Sequence, residues 1–326
     1  MENHSPIPFQ RKRDFSNKLN ATFSFVRQNF KSLSKCILYI AGPPVLVASL
    51  LLSSFMKDFL SLAVGAGRHP EEFQNYFLSV NFWLQMALMF VFMIVSYVAI
   101  IATSNNYLIL YEEKKTNEID VNDVWARVRE TLGMYFVTVL LFGLMTVVAY
   151  ALMTVPIFIL GAISPFLIFF GVVFMFVGVM YLGVGASLVF CIRAFEKKGF
   201  VASIIRSFYL VRGKWWSTFG LSIILLLLVS IISYIFSVPA SILQGVATLH
   251  SVRPGEFQSP DGTVGTIVFI LNSLAYICQM LLYILPNIGL AFQYFNLVEM
   301  KEAKGLMGDI ETFGQTTPAP KQEEGY

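Results

Sequence analysis

The chain of 326 residues is 56% apolar and only 13% charged, with a mean hydropathy of +0.67. A soluble domain carries about 25% charged residues, so this composition argues against a soluble globular protein and indicates a lipid environment. The formal net charge of +3 is too small to indicate a nucleic-acid partner.

One pattern occurs three times along the chain. An amphipathic leader helix containing Val-Arg runs into two long apolar segments, and each copy closes on a short charged stretch. The Val-Arg segments are FSFVRQNF (23–30), WARVRETL (125–132) and FYLVRGKW (208–215). We therefore predict a polar, basic N-terminal tail (1–14), three modules (15–116, 117–198 and 199–305) and a disordered cytoplasmic tail (306–326). The N-terminal tail is unlike a cleavable signal peptide, since no apolar run follows it closely.

Six apolar stretches are long enough for transmembrane helices. A helix needs about 20 residues to cross the hydrocarbon core of a bilayer. The predicted spans are residues 36–56, 82–111, 134–160, 165–195, 216–245 and 264–298. Pro156 and Pro286 mark expected bends in the third and sixth spans. The sequence thus predicts an all-α fold of six transmembrane helices, arranged as three hairpins, each preceded by an amphipathic interfacial helix.

The three leader helices each carry apolar residues at helical spacing. Those residues are Leu19, Phe23, Val26, Phe30 and Leu33; Val121, Val124, Trp125, Val128 and Leu132; and Phe200, Ile204, Phe208 and Val211. A basic amphipathic helix of this kind usually lies in the membrane interface. Candidate contacts to anionic lipid headgroups are Arg27, Lys31, Arg129, Arg206, Arg212 and Lys214. A docking site for a membrane or cytosolic protein partner is the open alternative.

The distribution of Lys and Arg predicts the orientation of the chain. Of the 23 Lys and Arg residues, only Lys57, Arg68 and Arg253 fall on one side of the predicted spans. Basic residues are retained on the cytoplasmic side of membranes. We therefore expect both termini in the cytoplasm, and a multi-pass protein of the bacterial cytoplasmic (inner) membrane.

The sixth span carries a series of polar residues. Asn272, Gln279 and Gln293 are separated by multiples of seven residues, with Pro286 in the same series, which places them near one face of a helix. They are candidates for a polar seam that lines a substrate path. The simpler alternative is hydrogen bonding between helices, worth about 0.6 to 2 kcal/mol per contact.

Features of catalysis are missing from the sequence. The spans hold no central Asp, Glu, Lys or Arg, which argues against a proton-coupled carrier. His4, His69 and His250 lack a metal-ligand spacing, and Cys36, Cys191 and Cys278 fit apolar packing positions. No nucleophile elbow, zinc motif or nucleotide-binding loop occurs. We expect no enzymatic activity, no cofactor and no metal.

The third leader helix supports a family resemblance. Arg206-Ser207, followed by Leu210-Val211-Arg212-Gly213 and an aromatic residue ahead of an apolar run, resembles the membrane region of glycerophosphoryl diester phosphodiesterase-type proteins and related bacterial six-helix proteins. Some relatives fuse this region to a phosphodiesterase barrel, which needs about 250 residues that are not available here. The resemblance implies a membrane module without catalytic residues.

Two functions follow as hypotheses from these patterns. The first is a non-enzymatic membrane protein that organises or assists other membrane components or lipids. The second is a transporter or lipid-handling channel whose route follows the polar seam of the sixth span. An intramembrane enzyme is a third alternative that lacks a nucleophile–base pair. A cavity-sized polar cleft reaching the sixth span would favour the second hypothesis, and a tight, dry bundle with an exposed cytoplasmic groove between the leader helices would favour the first.

Overall fold

The computed structural model describes residues 7–65, 70–250, 262–303 and 307, and this part of the chain is helical, without β-strands. The predicted tail at 306–326 lies outside the described residues apart from Met307, as do residues 1–6 of the predicted N-terminal tail. The helices are α1 (Phe15–Ile40), α2 (Gly42–Gly65), α3 (Pro70–Leu78), α4 (Val80–Lys114), α5 (Val121–Ile163), α6 (Ile168–Ala186), α7 (Val189–Glu196), α8 (Phe200–Val211), α9 (Trp215–His250), α10 (Gly262–Leu282) and α11 (Ile284–Glu302).

Several stretches of the described chain suit a membrane. Five are long and apolar enough to cross one: Val80–Lys114, Val121–Ile163, Pro165–Glu196, Trp215–Val246 and Gly262–Glu302. Phe15–Ile40 and Gly42–Phe59 meet the same test only as a pair bent by 62°, which would add a sixth span. By length and composition, the chain therefore has the helices of a multi-pass membrane protein.

Proline determines two of the helix breaks. A proline ring clashes with the carbonyl four residues earlier and supplies no N–H. Pro43 and Pro44 therefore stop α1 near Ala41, where the chain bends into α2. Pro286 acts in the same way on Leu282, the last residue of α10, and it lies in the first turn of α11, where proline is tolerated. The bend predicted at Pro286 thus occurs at Tyr283, three residues earlier, and the predicted sixth span consists of two helices.

Local capping explains other boundaries. Asp120 caps α5, and its side chain accepts a hydrogen bond from the Val121 N–H. The helix then continues without a break to Ile163, so the second leader helix and the third predicted span are one helix of 43 residues. The charged stretches that close the three predicted modules each end a helix with a left-handed residue: Lys115, Lys197 and Ala303.

The main core lies at one end of the bundle. This end contains α7, α8 and α11, together with the start of α1, the end of α4 and the start of α9. We call this the basic end, and the opposite end, near residues 57 and 244, the far end. Phe9, only 1% exposed, lies at the centre of this main core. Its ring lies 5.5 Å from Tyr111, 4.9 Å from Phe295 and 5.5 Å from Phe292, centroid to centroid. The N-terminal tail therefore packs into the core from Ile7 onwards.

Helices α5 and α6 form an antiparallel pair whose outer surface is mostly exposed and apolar. A Cβ atom added at Gly171 would lie 2.8 Å from Ile157 Cα, and one at Gly178 would lie 2.8 Å from Met153 Sδ. Small residues at these two positions allow the helices to approach closely. The outward side chains, such as Phe158 at 76% exposure, have the character of a lipid-facing surface.

Candidate functional site

A cleft with polar and apolar walls lies at the far end of the bundle, between α2, α9 and α10. Its volume is about 240 Å³. The residues that line it are Ser53, Met56, Lys57, Phe59, Gln244, Gly265, Val268, Phe269, Asn272 and Tyr276. Asn272, one of the predicted seam residues, therefore lies in the wall that α10 contributes to this cleft.

Helical spacing brings these side chains together. On α10, Gly265, Val268, Asn272 and Tyr276 are separated by three or four residues, so they share one face. The hydroxyl of Ser273, the neighbour of Asn272, donates to Ser53 Oγ on α2 at 2.9 Å. This buried hydrogen bond holds α2 against α10 beside the cleft.

The cleft combines three kinds of chemistry. Lys57 supplies a positive charge near its edge, Asn272 and Gln244 supply amides, and Met56 with Phe269 supply apolar contact area. Amides bind hydroxyl and phosphate oxygens, while an ammonium group favours an anion. The lining therefore suits a molecule with a polar, anionic part and an apolar part.

The structure separates Gln293 from this cleft. Gln293 is fully buried on α11 at the basic end, where its Nε2 donates to Thr218 Oγ1 at 2.9 Å. Its Oε1 accepts a hydrogen bond of 2.7 Å from Lys18 Nζ. Gln279 and Pro286 do not line the cleft either. A break at Tyr283 lies between Gln279 and Pro286, and of the four seam candidates the cleft contains only Asn272.

Lys18 is a functional candidate that the sequence reasoning did not single out. The residue is 2% exposed, and in addition to its hydrogen bond to Gln293 its Nζ donates to Ser217 Oγ at 2.7 Å. Within the described part of the chain, no carboxylate lies within ion-pair distance of this ammonium group, so neutral oxygens hold it. The available signal was the spacing of Lys18, Thr22, Phe25 and Asn29, which are all buried on one face of α1.

A polar segment of α4 also joins helices near this core. Asn106 Nδ2 donates to Thr131 Oγ1 of α5 at 2.8 Å, and the Tyr107 hydroxyl donates to Asn29 Oδ1 of α1 at 3.0 Å. Hydrogen bonds of this type orient helices in a lipid environment. Lys18, Gln293, Asn106 and Asn29 therefore join helices of the basic end through hydrogen bonds.

The predicted headgroup contacts divide into two groups. Five of them have exposed side chains: Arg27, Lys31, Arg129, Arg212 and Lys214. Arg129 lies over the Trp125 ring at 5.8 Å from the centroid. The exposed residues are available to an anionic surface, which is what their prediction requires.

Arg206 differs because it joins three helices. Its Nε donates to Glu196 Oε1 at 3.1 Å, and its Nη1 pairs with Glu302. The Tyr294 hydroxyl donates to the same Glu196 oxygen at 3.0 Å. The hydrogen bond to Glu302, together with that to Glu196, raises the pKa of Arg206 above its ordinary value, although burial opposes this effect. Arg206 therefore acts as a permanently charged link between α7, α8 and α11.

The described residues hold no group of three or more His, Cys, Asp or Glu side chains that could bind a metal ion. Cys36, Cys191 and Cys278 are free thiols, and the first two are buried. Cys36 packs on α1 and Cys191 on α7 within the main core, as expected for small apolar residues.

Comparison with known protein families gives a match over part of the chain. Residues 126–284, from the start of α5 to the start of α11, are similar to a family described as a domain of unknown function (DUF7847). This stretch contains the α5–α6 pair, Arg206 and Asn272. No curated protein and no solved structure matches the chain.

Proposed function

We propose that the protein is a non-catalytic, multi-pass membrane protein that assists membrane lipids by binding them, with the far-end cleft receiving a lipid headgroup. The cleft carries this proposal, because Lys57 and Asn272 face the same space as Met56 and Phe269. A lipid has the matching combination of an anionic, hydrogen-bonding head and an apolar body. Of the functions predicted from the sequence, this proposal corresponds to the organising or assisting role, and it adds a binding site to that role.

The proposed topology follows the distribution of charge. The six spans would be the end of α1 with α2, then α4, α5, α6 with α7, α9, and α10 with α11, and the earlier part of α1 together with α8 would lie at the cytoplasmic interface. The left-handed helix ends at Lys115, Lys197 and Ala303 support three related modules. The positive-inside rule places both termini in the cytoplasm and the cleft at the outer leaflet. The inner membrane of a bacterium is the proposed location.

Transport across the membrane is the second candidate function, and the reach of the cleft to α10 favours it. The position of Gln293 weighs against a continuous route, since Lys18 and Thr218 hold both ends of its amide at the other end of the bundle. The start of α9 at Trp215 and its cleft residue Gln244 are roughly 40 Å apart along a helix that rises ~1.5 Å per residue. A binding protein open on one side fits this arrangement better than a channel.

The test uses two amides of α10 as a matched pair. Asn272 lines the cleft and Gln279 does not, and both were predicted as seam residues. The protein and its Asn272→Leu, Lys57→Gln and Gln279→Leu variants would be extracted with their surrounding membrane in polymer nanodiscs, and the retained lipids would be quantified by mass spectrometry.

We expect Asn272→Leu and Lys57→Gln to lose a specific lipid class that the protein and the Gln279→Leu variant retain. An identical lipid profile in all four samples would refute the proposal. A C-terminal reporter that is active only in the cytosol tests the topology separately, and an inactive reporter on a correctly inserted protein would overturn the orientation.

A further inference from the structure

A second groove, distinct from the cleft, lies at the basic end between the N-terminal segment and α1. Its volume is about 470 Å³. Buried contacts hold the segment in place: the Phe9 ring is in the core, the Ile7 N–H donates to the Tyr111 hydroxyl at 2.8 Å, and the Arg13 N–H donates to Asn296 Oδ1 at 2.6 Å. The groove is therefore a fixed feature of the fold.

The first wall of the groove is strongly basic. Arg11, Lys12 and Arg13 are consecutive and all line it. Arg13 turns its guanidinium onto backbone carbonyls of its own segment, donating to Phe9 O at 3.1 Å and to Pro8 O. The nearby carboxylate of Asp14 caps α1 by accepting from the Asn17 N–H at 2.9 Å.

The charge of Arg11 and Lys12 is not paired within the described part of the chain. Within the ranges that the structure describes, Arg11 and Lys12 have no carboxylate within ion-pair distance, and their side chains are exposed. Burial, followed by the charge of Arg11, lowers the pKa of Arg13 from its ordinary value. Three cations therefore share a concave surface that attracts an anion.

The second wall is a polar stripe of α1. Asn17, Asn20, Ser24 and Gln28 are separated by three or four residues and so share one helix face, which is different from the buried face that contains Lys18. Gln28 Oε1 is buried and has no hydrogen-bond partner among the described residues. A buried acceptor without a partner costs about 1–3 kcal/mol, so a donor from a ligand would stabilise it.

We propose that this groove binds a polyol phosphate, with the phosphate at Arg11 and Lys12 and the polyol hydroxyls on the Asn17–Gln28 stripe. Guanidinium and ammonium groups recognise phosphate, whereas amides and a serine hydroxyl exchange hydrogen bonds with hydroxyls. The walls offer no aromatic face for a nucleobase. The same chemistry occurs in a free polyol phosphate and in the headgroup of a phospholipid such as phosphatidylinositol, and the experiment separates these two sources.

The test uses the full chain in phosphatidylcholine nanodiscs. Titration with myo-inositol 1-phosphate, inositol and inorganic phosphate measures the free-ligand arm. The lipid arm uses a second set of nanodiscs that contain phosphatidylinositol. It has two readouts: the amount of bound inositol 1-phosphate that the lipid displaces, and the amount of phosphatidylinositol that the protein retains after lipid exchange. Ionic strength is held constant, because screening weakens every charged contact.

Three variants define the site. Arg11→Gln with Lys12→Gln should weaken inositol 1-phosphate binding or phosphatidylinositol retention at least tenfold. Lys35→Gln with Lys197→Gln removes the same charge from exposed positions that neither line the groove nor belong to the predicted headgroup contacts, and it should change binding less than twofold. Gln28→Ala should reduce the preference for inositol 1-phosphate over inorganic phosphate and leave phosphate affinity unchanged.

Binding in the free-ligand arm supports a soluble polyol phosphate, and retention only in the lipid arm supports the lipid headgroup. Equal losses of binding in the two double variants would show that general surface charge explains the effect, and this would overturn the proposal. Tighter binding of an acidic peptide than of inositol 1-phosphate, or no response in either arm, would also overturn it.

Discussion

Substitution of Gly185 by alanine tests how closely α6 and α8 approach each other. The Ser207 hydroxyl of α8 donates to the Gly185 carbonyl at 2.6 Å, and a Cβ atom at Gly185 would lie 2.2 Å from Phe208 Cε1. Non-bonded carbon atoms prefer about 3.5–4.0 Å, so the ring would have to move by more than about 1 Å. Overpacking of this kind costs about 1–3 kcal/mol.

Gly183 supplies the matched control two residues earlier on the same helix. A Cβ atom there meets nothing within 4 Å. Both substitutions gain about 0.8–1.0 kcal/mol of helix propensity, so the difference between them isolates the steric contact. We expect Gly185→Ala to be less stable than Gly183→Ala by about 1–3 kcal/mol.

The assay is the fraction of monodisperse protein that remains after heating in detergent, followed by fluorescence-detected size exclusion. Adding Phe208→Val to Gly185→Ala should recover most of the steric loss, since the clashing ring atoms are removed. Equal stability of the two alanine variants, or no recovery in the double variant, would refute the close approach of α6 and α8.

Three further predictions concern the basic end. Arg206→Met should lower stability by about 1.5–3 kcal/mol, because Glu196 and Glu302 would lose their guanidinium partner, although Lys198 would still pair with Glu196; Arg206→Lys should lose less, and thermal unfolding that is unchanged in both would contradict the role of the link. Gln293→Leu should destabilise the protein by about 1.5–3 kcal/mol through the lost hydrogen bond to a buried ammonium, whereas Lys18→Met should be tolerated better; the reverse order in the same unfolding assay would count against this account. Phe9→Ala should cost about 3–5 kcal/mol or detach the N-terminal segment, which trypsin would then cleave at the basic run that follows; unchanged protection from trypsin would show that the ring does not anchor the segment.

Only part of the candidate site could be predicted from the sequence. Asn272, singled out because it is a polar side chain in an apolar span, lines the far-end cleft, and its role in a substrate path stays a prediction. Gln293 was grouped with it by helical spacing, but it lies 21 residues further along the chain (293 − 272), about 32 Å at ~1.5 Å per residue, and is buried at the other end of the bundle. Helical periodicity holds only while the helix is continuous, and Pro286 was read as a bend within one helix rather than as the start of a second.

The leader helix α1 shows the same limit in its packing. The predicted apolar stripe divides in the structure: Leu33 is buried, whereas Phe23 and Phe30 are 40% and 64% exposed. The buried face contains Lys18 and Asn29. Periodicity locates a stripe of similar side chains, yet it does not say whether lipid or protein covers that stripe.

The sequence alone determined the helical class, the lipid environment and the approximate positions of the long apolar helices, because these follow from composition and from local proline and capping chemistry. Only the tertiary structure decided which polar residues meet. The contact of Lys18 with Gln293, the link from Arg206 to Glu302, and the packing of Phe9 into the core join residues far apart in the chain. Local patterns carry no information about such pairs, since partners are selected by how the helices pack together. The groove beside Arg11 exists for the same reason: a basic tail became one wall of a site when its phenylalanine entered the core.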